Sequence, residues 1–373
     1  MKVLVAMSGG VDSSLTACLL KEQGHDVIGV RFTIWSDPLA PPAAQLRSRK
    51  CCDPQTIYRA NTVAQILGIK LLHIDLQKEF EQKIVRPFLA EYRSGRTPNP
   101  CVLCNRVIKF DLLMHKAHEL QCDAIATGHY ARVVKSQSDA GETVYRLFEG
   151  TDPSKSQAYF LYTLSQEILA QTLFPLGTLK KTDVIARAHT IGIPLPPEYE
   201  ESQDVCFYPE KEPKEFLQRH LSDAMTPGPI KTTDERTVGE HKGLPLYTIG
   251  QRKGLNIGGL KIPLHVVKKD VASNTLFVAP SGADRESALY VKSPNWIAEA
   301  PAEGTEISLQ ARICSQGQKY RGALRHERAQ TTFYFTTPIR GIAPGQSAVF
   351  YDGDEVVGGG IIERAFTPSK RNA

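Results

Sequence analysis

The chain has 373 residues, of which 41% are hydrophobic and 23% charged. That is enough apolar material for two or three packed domains, and it excludes a disordered polymer. Its 45 basic and 40 acidic side chains leave a formal net charge of +5, a mild bias compatible with a polyanionic partner. No apolar run reaches the length of a membrane span, and Gly9 and Gly10 break the first apolar stretch before it could act as a signal segment. A cytoplasmic protein with no membrane partner is therefore expected. Its eight cysteines, at 18, 51, 52, 101, 104, 122, 206 and 314, are then expected to be reduced thiols, metal ligands or redox groups and not a disulfide framework.

In chain order, the first element is an apolar strand from Val3 to Ala6, which runs through Ser8-Gly9-Gly10-Val11-Asp12-Ser13 into a helix over Asp12–Gln23. Apolar runs recur at Val27–Phe32, Leu71–Asp75 and Ala124–Thr127, with helical patterns around Ile57–Leu67 and Val107–Leu120. Unbroken apolar strands alternating with amphipathic helices predict an α/β, Rossmann-like parallel sheet covered on both faces. Ligands of such sheets sit beyond the carboxyl ends of the strands. Ser8–Ser13, Phe32 and Gly128-His129-Tyr130 all fall there, so they are expected to face one nucleotide. A helix over Lys180–Ile191, ending in Gly192-Ile193-Pro194, is expected to close the domain, with Pro194–Pro197 as its exit.

From about residue 205 the texture changes to short, glycine-punctuated segments and helical periodicity fades. Further on, Glu306–Ile313, Gln330–Thr336 and Ala348–Tyr351 are alternating or β-branched, and Asp352-Gly353 reads as a hairpin turn into Glu355–Val357. The expected organisation is an N-terminal α/β domain over residues 1–204, a small central β-rich domain over 205–284, and a C-terminal β-barrel over 285–373.

Two features carry chemistry. Gly9 and Gly10 let successive backbone N–H groups converge on an anion, the following helix aims its positive end at the same point, and Ser8 and Ser13 add hydroxyl donors. The loop lacks the Gly-Lys-Ser/Thr ending of a Walker motif. Its SGGxDS pattern is instead similar to the PP-loop of ATP pyrophosphatases, which cleave ATP between the α- and β-phosphates to adenylate a substrate. The second feature is Thr97-Pro98-Asn99-Pro100-Cys101-Val102-Leu103-Cys104-Asn105-Arg106, an extended, proline-stiffened loop leading into a helix. It is expected to hold Cys104 at the helix N-terminus, where a thiol's pKa falls. A third thiol, Cys206, lies in Ser202-Gln203-Asp204-Val205-Cys206-Phe207 at a domain junction, a natural active-site wall. Cys18, Cys122 and Cys314 are expected as small buried hydrophobes. Zinc is a competing reading, with Cys101-x-x-Cys104 as one half-site and Cys51-Cys52 or Cys206 completing it.

SGGVDSS, TPNPCVLCNRxIKF, ATGHYAR, SQDVCF, YTIGQRKGL and GQSAVFY, in this order over nearly the whole chain, resemble the MnmA family of tRNA-specific 2-thiouridylases. The resemblance implies 2-thiolation of the wobble uridine of tRNA, using ATP, Mg²⁺ and a persulfide delivered by a cysteine desulfurase or relay protein. It implies that Ala6, Met7, Ser8, Gly9, Gly10, Val11, Asp12 and Ser13 hold the pyrophosphate, that Phe32 and Gly128 border the adenosine, and that Mg²⁺ bridges the phosphates. Asp12 could contact that metal or cap its helix; no protein metal site is otherwise expected. It also implies that Cys206 carries the persulfide and that Cys104 is the nucleophile that cleaves its S–S bond, leaving a Cys104–Cys206 disulfide. Asn99, Pro100 and Cys101 would meet the target base, with His129, Lys155, Ser156, Gln157, Lys319, Tyr320 and Gln346 along the RNA. Many members carry Asp where this chain has Cys101, which leaves open which thiol of the pair does the work. Two other functions fit parts of the pattern: an amidating PP-loop ligase, which needs neither the cysteine loop nor the barrel, and a zinc-stabilised RNA-binding module.

Overall fold

A computed structural model describes residues 1–42, 44, 54–138, 140–195, 205–258, 262–282, 285–327 and 330–368. The Cys51-Cys52 pair, the exit at 196–197, Ser202-Gln203-Asp204 and the expected boundaries at 204/205 and 284/285 fall wholly or partly outside the described residues.

Strands β1 (Lys2–Ala6), β2 (Asp26–Thr33), β3 (Lys70–Asp75) and β4 (Ala124–Ala126) form the expected parallel sheet, completed by a short strand, β7 (Thr172–Leu173), in the order β3-β2-β1-β4-β7. Both faces of β1 are buried. Leu4 enters one apolar cluster with Phe110, Leu113 and Ile125, while Val3 and Val5 enter another with Leu15, Leu19 and Val184. This alternation explains the continuous apolar run, since each residue meets a helix layer on one side or the other. Chain growth reverses between β1 and β4, so the loops after β1, β2 and β4 open onto the crevice where such sheets hold ligands.

Residues Pro100–Cys104, Asn105–Phe110 and Asp111–Glu119 make one helical column, whose middle segment is π-helical. The column starts earlier than the sequence predicts.

Strands β5 (Ala131–Gln137) and β6 (Thr143–Glu149) form a hairpin outside the parallel sheet, with Ala131 and Leu147 still packed in the cluster of Leu4 and Phe110. Its β6 edge pairs with Glu355 and Val356 of the barrel. In the central region, β8 (Gly228–Thr232), β9 (Thr237–His241), β10 (Leu264–Asp270) and β11 (Thr275–Pro280) form a sheet in the order β10-β11-β8-β9 around Ile230, Val266, Leu276 and Val278. Before it lies a helix, Lys214–His220, which the sequence reading missed; it buries Phe216 and Leu217. The C-terminal strands β12 (Glu286–Trp296), β13 (Glu306–Arg312), β14 (Tyr320–Glu327), β15 (Gln330–Ile339), β16 (Ser347–Asp352) and β17 (Glu355–Phe366) pair antiparallel in the order β12-β15-β14-β13-β16-β17. Pairing of β17 back to β12 closes the barrel.

The barrel is not a free appendage. Ile297, Val349, Tyr351 and Val356 belong to the same core cluster as Leu4 and Phe110. Cys18 and Cys122 are buried as expected, but Cys314 is exposed, because it lies in the bend after β13 and not within the strand. Among the described residues no helix is long and apolar enough to cross a membrane.

Candidate active site

The loop after β1 turns on Gly9, whose φ of +84° and contact with the neighbouring helix leave no room for a side chain: a Cβ there would lie 2.0 Å from the Thr56 carbonyl oxygen. Arg59 fixes the turn from behind, donating from Nη1 to the Gly9 oxygen at 2.7 Å. Gly10 caps helix Val11–Glu22 in extended conformation, and a Cβ on it would meet only the Ser8 hydroxyl, at 3.4 Å. The face of the loop at Gly10 is therefore open. The Ser8 and Ser13 hydroxyls stand 3.2 Å apart beside it. Gly128, after β4, is pressed against the first turn of that helix, where a Cβ would lie 2.8 Å from the Asp12 carbonyl carbon and from the Ser13 nitrogen. The loop and Gly128 thus meet at the first turn of the helix, with the Gly10 face left open.

Asp12 is more committed than its sequence suggested. Both carboxylate oxygens accept from the Lys181 ammonium, at 2.7 and 2.8 Å, and one also accepts from the Tyr130 hydroxyl at 2.8 Å. The expected alternative of a helix cap is not realised, since the Gly10 cap position has no side-chain hydrogen bond and Asp12 points to Lys181 instead. Lys181 is buried, its aliphatic stem reaching in from helix Lys181–Ile191. Sequence reasoning placed that helix but gave Lys181 no role. The available signal was a lysine in the first turn of a helix, where the dipole disfavours a cation unless an anion offsets it.

Asn99 caps the cysteine helix: its side-chain oxygen accepts from the Cys101 N–H at 3.2 Å, and Pro100 occupies the first helical position. This corrects the expected geometry. Cys101, not Cys104, lies in the first turn, and Cys104 is one turn further in and 9% exposed. The two prolines read as a wholly extended segment, whereas the second one starts the helix. Spacing of three places Cys104 on the same helix face as Cys101. Burial pushes the Cys101 thiol pKa up, and the Lys109 ammonium partly offsets it.

Cys206 reaches the same neighbourhood from the far side of the sequence. Cys104 belongs to an apolar cluster with Phe80, Phe88, Phe207 and Phe216, and Cys206 packs against that cluster, as does Phe32 from the end of β2. The Cys206 segment is anchored by the Asp37 N–H, which donates to the Phe207 carbonyl at 3.1 Å. The Asp37 side chain is completely enclosed and accepts from Arg219 Nε at 2.9 Å and His220 Nε2 at 2.8 Å. Burial alone would raise its carboxyl pKa, but those hydrogen bonds outweigh it and hold the group below the usual range. All cysteines among the described residues are free thiols, so the expected Cys104–Cys206 bond is not formed in this structure. No cluster of three or more His, Cys, Asp or Glu that could hold a metal occurs among the described residues. The Asp12 carboxylate, expected as a possible Mg²⁺ contact, is occupied by Lys181 and Tyr130.

Of the residues expected along the RNA, several turn inward. His129 is buried between Phe110 and Phe174, with Nδ1 2.7 Å from the Thr127 hydroxyl. Burial, then the nearby Lys109 charge, lowers its pKa well below the ordinary imidazole value. Lys319 sets its ammonium 2.6 Å from Glu149 and over the Tyr351 ring. Gln346 donates to the Thr97 and Pro98 carbonyls. Gln157 and Ser156 shape the turn after the hairpin, through Tyr130 and Gly150 respectively, and Lys155 is partly exposed there. Tyr320 opens β14, its ring against Phe335.

Family models match the three structural regions in turn: a tRNA methyl transferase HUP domain over residues 1–210, a tRNA methyl transferase PRC-barrel domain over 214–280, and an aminomethyltransferase beta-barrel domain over 286–362. The tRNA-specific 2-thiouridylase MnmA 1 of Caldanaerobacter subterraneus subsp. tengcongensis is 43% identical over 97% of this chain and 98% of its own. The MnmA of Geotalea uraniireducens is 42% identical over 98% and 95%, and that of Symbiobacterium thermophilum is 40% identical over 98% and 92%. With relatives 40–43% identical over nearly the full length of both chains and the three family models matched in turn, the chain belongs to the MnmA family of tRNA-specific 2-thiouridylases.

Proposed function

We propose that this protein is an ATP-dependent tRNA sulfurtransferase that converts the wobble uridine of tRNA to 2-thiouridine. The observation that carries this reading is one convergence. Phe32, from the nucleotide end of the parallel sheet, packs on the same apolar cluster as Cys104 and Cys206, from loops far apart in sequence. A nucleotide crevice and two thiols then share one wall, which an amidating ligase does not need. The zinc-module reading draws no support from the described residues, which hold no such ligand cluster.

ATP is the first substrate. The loop from Ala6 to Ser13 receives the pyrophosphate part, with backbone N–H groups, the helix N-terminus and the Ser8 and Ser13 hydroxyls as donors. Phe32 and Gly128 border the nucleoside. Mg²⁺ fits as a metal carried by the phosphates themselves, because the Asp12 carboxylate is already engaged; it would neutralise charge on the leaving pyrophosphate. The uridine C2 oxygen attacks the α-phosphorus and pyrophosphate leaves, so AMP becomes the group to be displaced.

Sulfur arrives on Cys206 as a persulfide from a cysteine desulfurase or relay protein. Its terminal sulfur reaches C2, either directly or after release, and AMP departs. In the direct route a Cys206–S–S–C2 linkage forms. The Cys104 thiolate then attacks the Cys206 sulfur, leaving the transferred sulfur on C2 as the thiocarbonyl. The two cysteines are oxidised to a disulfide as the sulfane sulfur is reduced, and an external thiol resets them. Asn99, Pro100 and Cys101 lie against the target base, with Lys155, Ser156, Gln157 and Tyr320 along the RNA, while His129, Lys319 and Gln346 support that surface from beneath. Residues 1–204 form the ATP-binding and catalytic domain, the central domain over 205–284 begins beside Cys206, and 285–373 contact tRNA, in a cytoplasmic enzyme.

The test is direct. Purified protein, tRNA, Mg-ATP and a persulfide donor should yield 2-thiouridine at the wobble position by nucleoside mass spectrometry, with ATP–pyrophosphate exchange that depends on tRNA. Exchange independent of tRNA, with no thiolated product, would sink the reading in favour of an amidating ligase.

A further inference from the structure

The barrel turn Gly345-Gln346-Ser347 touches the cysteine loop across some two-thirds of the chain. Gln346 Nε2 donates to the Thr97 carbonyl at 3.0 Å and to the Pro98 carbonyl at 3.3 Å, over sequence separations of 249 and 248 residues. The Thr97 N–H returns a hydrogen bond to the Pro344 carbonyl at 2.8 Å. Gly345, with φ of +96°, lets the two backbones approach so closely that a Cβ on it would lie 2.9 Å from both Thr97 N and Thr97 O. Next to it, the Ser347 carbonyl accepts from the Tyr159 hydroxyl at 2.9 Å. In the loop it grips, Pro98 and Pro100 offer no N–H, so local backbone donors are few, and the Thr97 and Pro98 carbonyls take theirs from Gln346. Directly after them, Asn99 caps the helix that carries Cys101 and Cys104.

We propose that Gln346 is a positioning residue for the cysteine helix: its amide fixes the Thr97-Pro98 peptides, and through the Asn99 cap it sets the place and the reactivity of the thiols. Both amide hydrogens are spent on the loop, which leaves only the side-chain oxygen to accept from RNA. The barrel therefore serves sulfur transfer as well as RNA binding, and tRNA seated on the barrel would be felt at the thiols through this seam. The inference rests on the reading of this helix as the sulfur-transfer machinery.

Two substitutions test it, Gln346→Met, which removes the donors, and Gln346→Glu, which sets a carboxylate against two carbonyl oxygens. At saturating tRNA, kcat for thiolation should fall about ten- to a hundred-fold, the scale of a misplaced reacting group. The tRNA dissociation constant should stay within about twofold, since a lone acceptor at the rim contributes little. In the absence of tRNA, the pH dependence of iodoacetamide alkylation at Cys101 and Cys104, read residue by residue by mass spectrometry, should shift. Gly345→Ala reaches the same seam from the backbone, and should shift the alkylation profile in a protein whose Gln346 is intact. A tRNA affinity that drops with kcat unchanged would make Gln346 an RNA contact and overturn the proposal. So would alkylation profiles that superimpose on those of the unsubstituted protein. If the unsubstituted protein makes no 2-thiouridine, the functional reading fails instead, and the alkylation profiles still decide whether Gln346 governs the thiols.

Discussion

The Lys181 ammonium grips both carboxylate oxygens of Asp12, at 2.7 and 2.8 Å, within the first turn of the helix that follows the nucleotide loop. The loop itself contains no lysine; this ammonium and the Arg59 guanidinium behind Gly9 are cations held against it. Lys181→Met is expected to lower ATP–pyrophosphate exchange by about 10²-fold or more, the scale of removing a group that stabilises transition-state charge. It should also lower the melting temperature, because the Asp12 carboxylate loses its partner. The double variant Asp12→Asn/Lys181→Met separates the two effects: stability should return and exchange should not. Recovery of exchange in the double variant would confine the pair to a structural role.

Gly9 and Gly10 should fail in different ways. Gly9→Ala drives a methyl into the Thr56 carbonyl and demands a left-handed backbone, so it is expected to destabilise the fold by about 1–3 kcal/mol or more, visible in denaturant midpoints. At Gly10 an added Cβ meets only the Ser8 hydroxyl, and Gly10→Val keeps an extended backbone any residue adopts. It should melt near the unsubstituted protein yet lose ATP binding by calorimetry, because the new side chain stands at the open mouth of the cradle. Normal ATP affinity in Gly10→Val would show that phosphates bind elsewhere.

What was legible in the sequence was what short-range patterning encodes. β1 and its glycine loop read correctly because a doubly buried strand, a phosphate turn and a helix start each leave a local mark. The β5–β6 hairpin did not, because its reason for existing is a barrel edge at Glu355 and Val356 that no local pattern announces. The Cys104 position went wrong over one residue, Pro100. A proline can stiffen an extended loop or open a helix, and Asn99 before it made the second reading available. Lys181 and Gln346 were opaque for a common reason, since each acts on a distant backbone or carboxylate that only the fold brings near.

His129 gives the protein a pH dependence of definite sign. Its imidazole is held neutral by burial, with a folded-state pKa well below the ordinary 6.5. Below about pH 6.5 the unfolded chain takes up a proton that the folded one refuses. The stability is therefore fully present above that pH and is lost as pH falls toward the folded-state value, by up to about 1.4 kcal/mol per unit. Denaturant titrations between pH 7.5 and 5 should show this slope, and His129→Asn should flatten it while lowering stability at pH 7.5 through the lost Thr127 hydrogen bond. An equal slope in the variant would assign the effect to other groups.

The three thiols give the sharpest prediction. Cys104→Ser and Cys206→Ser should each stop thiolation and leave tRNA-dependent exchange in place, because a hydroxyl neither carries sulfane sulfur nor attacks an S–S bond at neutral pH. Cys101→Ser should keep substantial activity. The reason is no longer the helix dipole, which favours Cys101 in the first turn. It is the packing: Cys104 lies within the apolar cluster on which Cys206 rests, and Cys101 does not belong to it. Burial also raises the Cys101 pKa, with the Lys109 charge partly offsetting it. Acid-quenched single-turnover samples, alkylated and digested, should contain a Cys104–Cys206 disulfide. A Cys101–Cys206 disulfide together with an inactive Cys101→Ser protein would transfer the nucleophile's role to Cys101.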